Sequence, residues 1–109
     1  MTVPPAQAEA NDDVGMSLMA GEETDAVIEL LGEELGPRLR VTDRITYRKL
    51  ETDAGHLEVR FDDVAERLGR RFTMADFQAI FSSYYGRPSM TDEWIRVDAS
   101  MTAGVLDDD

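Results

Sequence analysis

The sequence predicts an α+β fold: a single compact domain in which antiparallel sheet packs against about three short helices. Three observations carry this. Segments of period two and segments of period 3.6 interleave along the chain in the order β-α-β-β-β-α-α-β, and helices set among antiparallel strands are the mark of this class. Gly, Pro or Asp clusters bound nearly every segment, so the elements are short. Finally, 109 residues with 42% hydrophobic content suffice for one modest core and exclude wholesale disorder.

The elements follow in order. Residues 1–12 (MTVPPAQAEAND) are Pro- and Ala-rich without periodicity, and a mobile tail is expected there. The domain is expected over residues 13–101, followed by an acidic C-terminal tail at 102–109. Val14 to Ala20 reads as a strand with Met16, Leu18 and Ala20 on one side, and Gly21 breaks it. Glu22 to Leu35 reads as an amphipathic helix: Val27, Leu30, Leu31 and Leu35 share a face, and acids in the first turn suit the helix dipole. Gly36-Pro37 stops it. Arg38 to Thr52 gives two strands, Leu39/Val41 and Ile45/Tyr47, about a turn at Asp43-Arg44. Asp53-Ala54-Gly55 reads as a hairpin-like loop, and His56 to Phe61 alternates with Leu57, Val59 and Phe61 inward. Asp62 or Asp63 is expected to cap the next helix, Asp63 and Glu66 having capping-box spacing, and Gly69 to end it. Thr73 caps a third helix with Asp76 as its N3 residue, running to Tyr85 before Gly86 and Pro88. Trp94 to Ala99 is the last strand, with a short extra strand allowed at Ser89 to Thr91.

The third helix has an unusual outer side. Phe77, Ile80, Phe81 and Tyr84 recur at i, i+3, i+4 and i+7, so Tyr84 is expected to be partly core. Opposite them stand Ala75, Gln78, Ala79, Ser82 and Ser83, and no charged side chain occurs from Phe77 to Gly86, although 31% of the chain is charged. A solvated helix normally shows Lys and Glu on that side. Small uncharged residues let another surface approach, so the stretch reads as a docking face; the competing reading is a helix buried on both sides within its own fold.

Composition excludes several chemistries. The chain has no cysteine and one histidine, so a disulfide framework, a thiolate nucleophile, a plant-type ferredoxin and a Rieske centre are all ruled out. A diiron carboxylate site needs two Glu-x-x-His motifs, whereas Asp53-x-x-His56 stands alone in a loop-to-strand turn and reads as coincidence. Gly69-Arg70-Arg71 ends a helix rather than opening one, so it is no phosphate loop. Ser82-Ser83 lacks a nucleophile-elbow pattern. No apolar run approaches a membrane span and no signal-peptide pattern opens the chain, so a cytoplasmic location is expected.

The net charge of −12 is uneven: residues 1–37 hold nine acids and no Lys or Arg, while residues 38–96 hold ten acids against all eleven bases. That balance argues against nucleic acid and favours steering toward a basic protein surface. Arg70 and Arg71 suit either the C-terminus of the second helix or, with Arg87, ion pairs at the rim of a partner interface. Met16, Met19, Met74 and Met90 read as core fillers, Met74 also as an adaptable contact.

The pattern Glu66-x-Leu68-Gly69-Arg70-x-Phe72, then Asp76-Phe77, then Ser82-Ser83-x-x-Gly86-Arg87 resembles the coupling (effector) proteins of soluble bacterial diiron monooxygenases. That family includes methane monooxygenase regulatory protein B and the effectors of phenol hydroxylase and toluene or alkene monooxygenases. The likeness extends to Asn11-Asp12-Asp13-Val14-Gly15, Val41-Thr42-Asp43-Arg44 with Tyr47, and Asp92-Glu93-Trp94-Ile95-Arg96, and these flanks look most like the short effectors of four-component systems. The chain departs from the family pattern at Tyr84-Tyr85, where many members carry smaller residues, so a substrate gate is not carried over to this position.

The resemblance implies a cofactor-free, non-catalytic protein that docks on the large subunit of a diiron hydroxylase. It implies that the chain tunes oxygen activation, substrate access and coupling to electron transfer, with a reductase and a Rieske-type ferredoxin as indirect partners. The residues expected to face the hydroxylase are Ala75, Gln78, Ala79, Ser82 and Ser83, together with Phe72, Met74 and Tyr85, and Arg70 and Arg87 at the rim. Two other classes stay open on the residues alone. An acidic interaction module or inhibitor would space acids regularly over its surface, and a small carboxylate enzyme would gather them in a pocket.

Overall fold

The computed structural model describes residues 13–99, so the expectations for the two tails lie outside the described residues. Two antiparallel sheets enclose one core. The first has the strand order β2-β3-β1-β5, with β1 Val14–Met19, β2 Leu39–Asp43, β3 Tyr47–Thr52 and β5 Phe81–Tyr85. The second has the order β4-β7-β6, with β4 His56–Arg60, β6 Arg87–Met90 and β7 Trp94–Asp98. The helices are α1 Glu22–Leu35, α2 Phe61–Leu68 and α3 Met74–Ile80.

The α+β class, the three helices and the antiparallel pairing are as the sequence predicts. Strand alternation explains the core: Val14, Met16 and Leu18 of β1 meet Leu50 of β3, Leu57 and Val59 of β4, and Ile95 and Val97 of β7. Val27 and Leu31 of α1 and Phe61 and Val64 of α2 close it. Thr24 is fully buried but not orphaned, because its hydroxyl donates to the Met19 carbonyl. The capping box of α3 forms as expected: the Thr73 N–H donates to Asp76 Oδ2 at 2.9 Å and the Asp76 N–H to Thr73 Oγ1 at 3.3 Å. Gly69, at φ +74°, ends α2.

Several expectations need correction. The turn between β2 and β3 falls at Ile45-Thr46 rather than at Asp43-Arg44, so Ile45 is a loop residue and not part of a strand. Met19, read as a core filler, points to the outer side of β1 and is 45% exposed. The third helix does not reach Tyr85: it stops at Ile80, Phe81 turns extended (ψ 110°), and the chain continues as β5. β1 needs a second neighbour to satisfy its backbone, and the Ser and Tyr of this segment suit a strand. Tyr84 is therefore not partly core as a helix residue; it lies on an edge strand, 48% exposed, and stacks on Phe81 with ring centres 5.7 Å apart. Asp53-Ala54-Gly55 joins strands of different sheets rather than two paired strands. Helix α2 begins at Phe61 with Arg60 as N-cap and no side-chain cap, so Asp62 and Asp63 serve the dipole of its first turn instead. The short strand allowed near Ser89 exists as β6.

Candidate docking face

β5 is an edge strand laid against β1 with one irregularity. Leu18 pairs with Phe81, Ser17 with Ser83, Met16 with Tyr84 and Gly15 with Tyr85, so Ser82 is the extra residue of a bulge. This register sends Ser83 and Tyr85 to the outer side of the sheet, the side of Gly15 and Ser17. The cross-strand partners of these two on β3 are Glu51 and Lys49.

Gly15 makes the arrangement possible. A Cβ at this position would sit 2.3 Å from Cε1 of Tyr85, so the phenol ring covers bare backbone. The Tyr85 hydroxyl donates to Glu51 Oε2, and Lys49 Nζ stands 3.7 Å from the same carboxylate and 6.0 Å from the ring centre. Burial, then the bond to Glu51, pushes the Tyr85 phenol above the ordinary tyrosine range. Between Tyr47, Lys49, Ser17, Ser83 and Tyr85 lies a shallow groove of about 260 Å³.

Most of the residues predicted to face a partner are exposed. Ala75, Gln78 and Ala79 are exposed on α3, and Ser82, Ser83, Tyr85 and Arg87 continue the exposed strip along β5 into β6. Met74 is half-buried against the core, and the Gln78 amide reaches Met90 Sδ at 3.9 Å. Phe77 is fully buried, with its ring centre 5.6 Å from Phe61 and 5.1 Å from Phe81, and it anchors the strip from beneath. The result is a surface whose stretch from Phe77 to Gly86 carries no charged side chain.

Two predicted members have partners within the domain. Phe72 is 4% exposed and packs edge-on against Phe61, so it is a core residue; its motif position did not reveal its direction. Arg70 is engaged within the domain, donating to Glu22 at 2.8 Å and Glu23 at 3.2 Å. Sequence reasoning missed Gly15, Ser17, Tyr47, Lys49 and Glu51. The alternation of β1 held the signal: small Gly15 and Ser17 oppose the apolar Val14, Met16 and Leu18.

Ser83 has no histidine partner, since His56 heads β4 in the other sheet. Asp53, three residues before it, is held below the usual carboxylate range by the hydrogen bond and charge of Arg38, whose Nε lies 2.9 Å away. A larger cavity, about 370 Å³, lies between α1, β4 and the start of α2. It is rimmed by carboxylates, but Glu33 pairs with Arg67, and Glu58 pairs with Arg60 and Arg96. Among the described residues no group of three or more His, Cys, Asp or Glu could hold a metal ion. No helix among them is long and apolar enough to cross a membrane.

The model of the MmoB/DmpM family matches residues 12–98, almost all of the described chain. The chain belongs to the MmoB/DmpM family. The effector subunit of the alkene monooxygenase system of Xanthobacter autotrophicus (strain ATCC BAA-1158 / Py2) is 33% identical over 84 residues, covering 76% of this chain and 82% of that protein. The fold matches a chain in the structure of a phenol hydroxylase–regulatory protein complex with TM-score 0.66 at 14% identity, over 79% of this chain and 97% of that one. It matches the soluble methane monooxygenase regulatory protein B with TM-score 0.61 at 23% identity, over 98% of this chain and 79% of that one. The resemblance read from the sequence motifs therefore holds. The MmoB/DmpM relatives matched here are effector and regulatory proteins of monooxygenases, not their catalytic subunits.

Proposed function

We propose that this chain is the cofactor-free effector of a multicomponent diiron hydrocarbon monooxygenase, acting in the cytoplasm with a reductase and a Rieske-type ferredoxin as indirect partners. It docks on the large hydroxylase subunit through the uncharged strip of α3 and β5, with Ala75, Gln78, Ala79, Ser82, Ser83 and Tyr85 at the centre and Arg87 at the rim. The family match over residues 12–98 carries this reading. The strip supports it, because an exposed surface without charge can be covered at little desolvation cost.

Physically the protein is an allosteric ligand. It alters oxygen activation, substrate access and electron-transfer coupling only to the extent that it binds one hydroxylase conformation more tightly than another. Seating on a face of Ala and Ser brings backbone close to backbone, so small shifts in the hydroxylase helices change the contact strongly. Titrated into hydroxylase with its electron donors, the protein raises turnover until it is roughly stoichiometric with active sites. Turnover that stays flat across the titration overturns the assignment.

A further inference from the structure

The hairpin between β2 and β3 ends in two β-branched residues, Ile45 and Thr46, flanked by the Arg44–Tyr47 pair, whose N–H and carbonyl meet at 2.9 Å. Two-residue hairpin loops favour Asn-Gly, because such turns need positive φ. Ile45 adopts φ +72°, and among the described residues it is the only non-glycine residue with positive φ. The Thr46 N–H donates back to the Arg44 carbonyl at 2.8 Å, which makes Ile45 the centre of a γ-turn of the rare, strained form. A β-branched residue is the least suited to that conformation. Its side chain gains nothing from the core in return: Ile45 is 86% exposed, the most exposed large hydrophobic among the described residues.

The strained loop is nonetheless held rigid. Asp43 Oδ1 accepts from the Ile45 N–H at 2.8 Å and from Arg48 Nη1 at 3.0 Å, and the same Nη1 donates to the Ile45 carbonyl at 3.3 Å. The Ala20 N–H ties the Thr46 carbonyl to the end of β1 at 2.9 Å. Strain maintained by surrounding bonds at an exposed apolar residue serves something other than folding. Tyr47, two residues on, lines the same outer groove as Ser83 and Tyr85, and its β1 partner Met19 is 45% exposed. The loop thus extends the docking face.

We infer that Ile45 is a preformed apolar anchor that inserts into an apolar pocket of the hydroxylase, a second contact point at the far end of the sheet from Tyr85. The inference rests on the proposed role as effector. A rigid side chain presented in its bound form loses little entropy on docking, which is how few residues come to dominate an interface. A bilayer is the poorer occupant, since a chain of net charge −12 is repelled by anionic lipid.

The test measures thermal midpoint and hydroxylase affinity for the wild type, Ile45→Asn and Ile45→Leu. Asn tolerates positive φ, so Ile45→Asn keeps or raises the thermal midpoint while its Kd for the hydroxylase rises at least tenfold. Ile45→Leu keeps the apolar bulk and binds within about threefold of wild type. Wild-type binding with Ile45→Asn within twofold overturns the anchor and leaves the effector role standing. A thermal midpoint several degrees lower for Ile45→Asn makes Ile45 a folding residue and overturns it too. So does a wild-type dimer in sedimentation that Ile45→Asn dissociates, because the anchor then serves a second copy. A wild type that does not bind hydroxylase overturns the effector role and the anchor together.

Discussion

Replacing Gly86 by alanine should separate the two sheets where the chain crosses from one to the other. Gly86 lies between β5 and β6 with φ +117°, and a Cβ there would meet the Asp98 carbonyl oxygen at 2.6 Å, Val97 Cγ1 at 2.8 Å and Val14 Cγ1 at 3.3 Å. None of these can yield easily: one is backbone of β7, and Val97 and Val14 are fully buried. The unfavourable φ contributes about 1–3 kcal/mol and the overpacking about 1–3 kcal/mol more. A loss of roughly 2–6 kcal/mol is a large part of the 5–15 kcal/mol typical of a domain. Gly36→Ala isolates the first effect, since Gly36 has φ +57° and ψ −132° but nothing within 4 Å of a Cβ; about 1–3 kcal/mol is expected there. Urea unfolding followed by the fluorescence of Trp94, the one tryptophan, reads both variants. With a slope of ~1–3 kcal/mol/M, the Gly86→Ala midpoint falls by roughly 1–6 M, about 2 M for mid-range values. A midpoint no lower than that of Gly36→Ala would refute the crowding argument.

Two further outcomes follow from the docking face. Ser83→Trp adds bulk on an exposed position and should change folding stability by no more than ~0.5 kcal/mol, while hydroxylase binding weakens or the substrate-size preference of the complex shifts. If the variant instead melts early and its activity per folded molecule is normal, the face is internal. The Tyr85 phenol, raised by burial and by Glu51, is held protonated in the folded chain, whereas the unfolded chain titrates near ~10. Its stabilisation is therefore complete below pH ~10 and is lost as pH rises above that value. Tyr85→Phe should flatten the alkaline fall of the urea midpoint relative to wild type, and two superimposable pH profiles would contradict this.

Periodicity located almost every element because most of them bury one face against a single core. It failed at Phe81 to Tyr85, and the bulge explains why. Phe81 and Tyr84 are three residues apart, which on a helix puts them on one side. In β5 the extra Ser82 restores the same result, so that Phe81 and Tyr84 both face the side of Leu18 and Met16. Spacing alone cannot separate a helix from a bulged strand. What decides is the open edge of β1, a partner some 65 residues away, and no local pattern announces it. Asp53-Ala54-Gly55 misled for a related reason: a turn signature says that the chain reverses, not whether the next strand joins the same sheet.

Absence of charge proved the more durable signal at the candidate face. Ala75, Gln78, Ala79, Ser82 and Ser83, expected on the outer side of one helix, are exposed although Ser82 and Ser83 lie on a strand. Direction was legible only where a cross-strand neighbour could be inferred, and so Phe72 went unrecognised as core. Charge pairing was the least legible of all. Residues 38–96 look self-neutralising by count, yet Arg67 reaches back to Glu29 and Glu33 and Arg70 to Glu22 and Glu23, all on α1. Exposed pairs of this kind are screened by solvent and add little to stability, so their effect lies less in stability than in distribution. They draw two of the bases toward α1 and away from the α3–β5 strip, beside which Lys49 and Arg87 stand as cations. On the proposed docking, recognition at this strip would depend on shape and close approach, with charge acting at longer range through the net excess of acid.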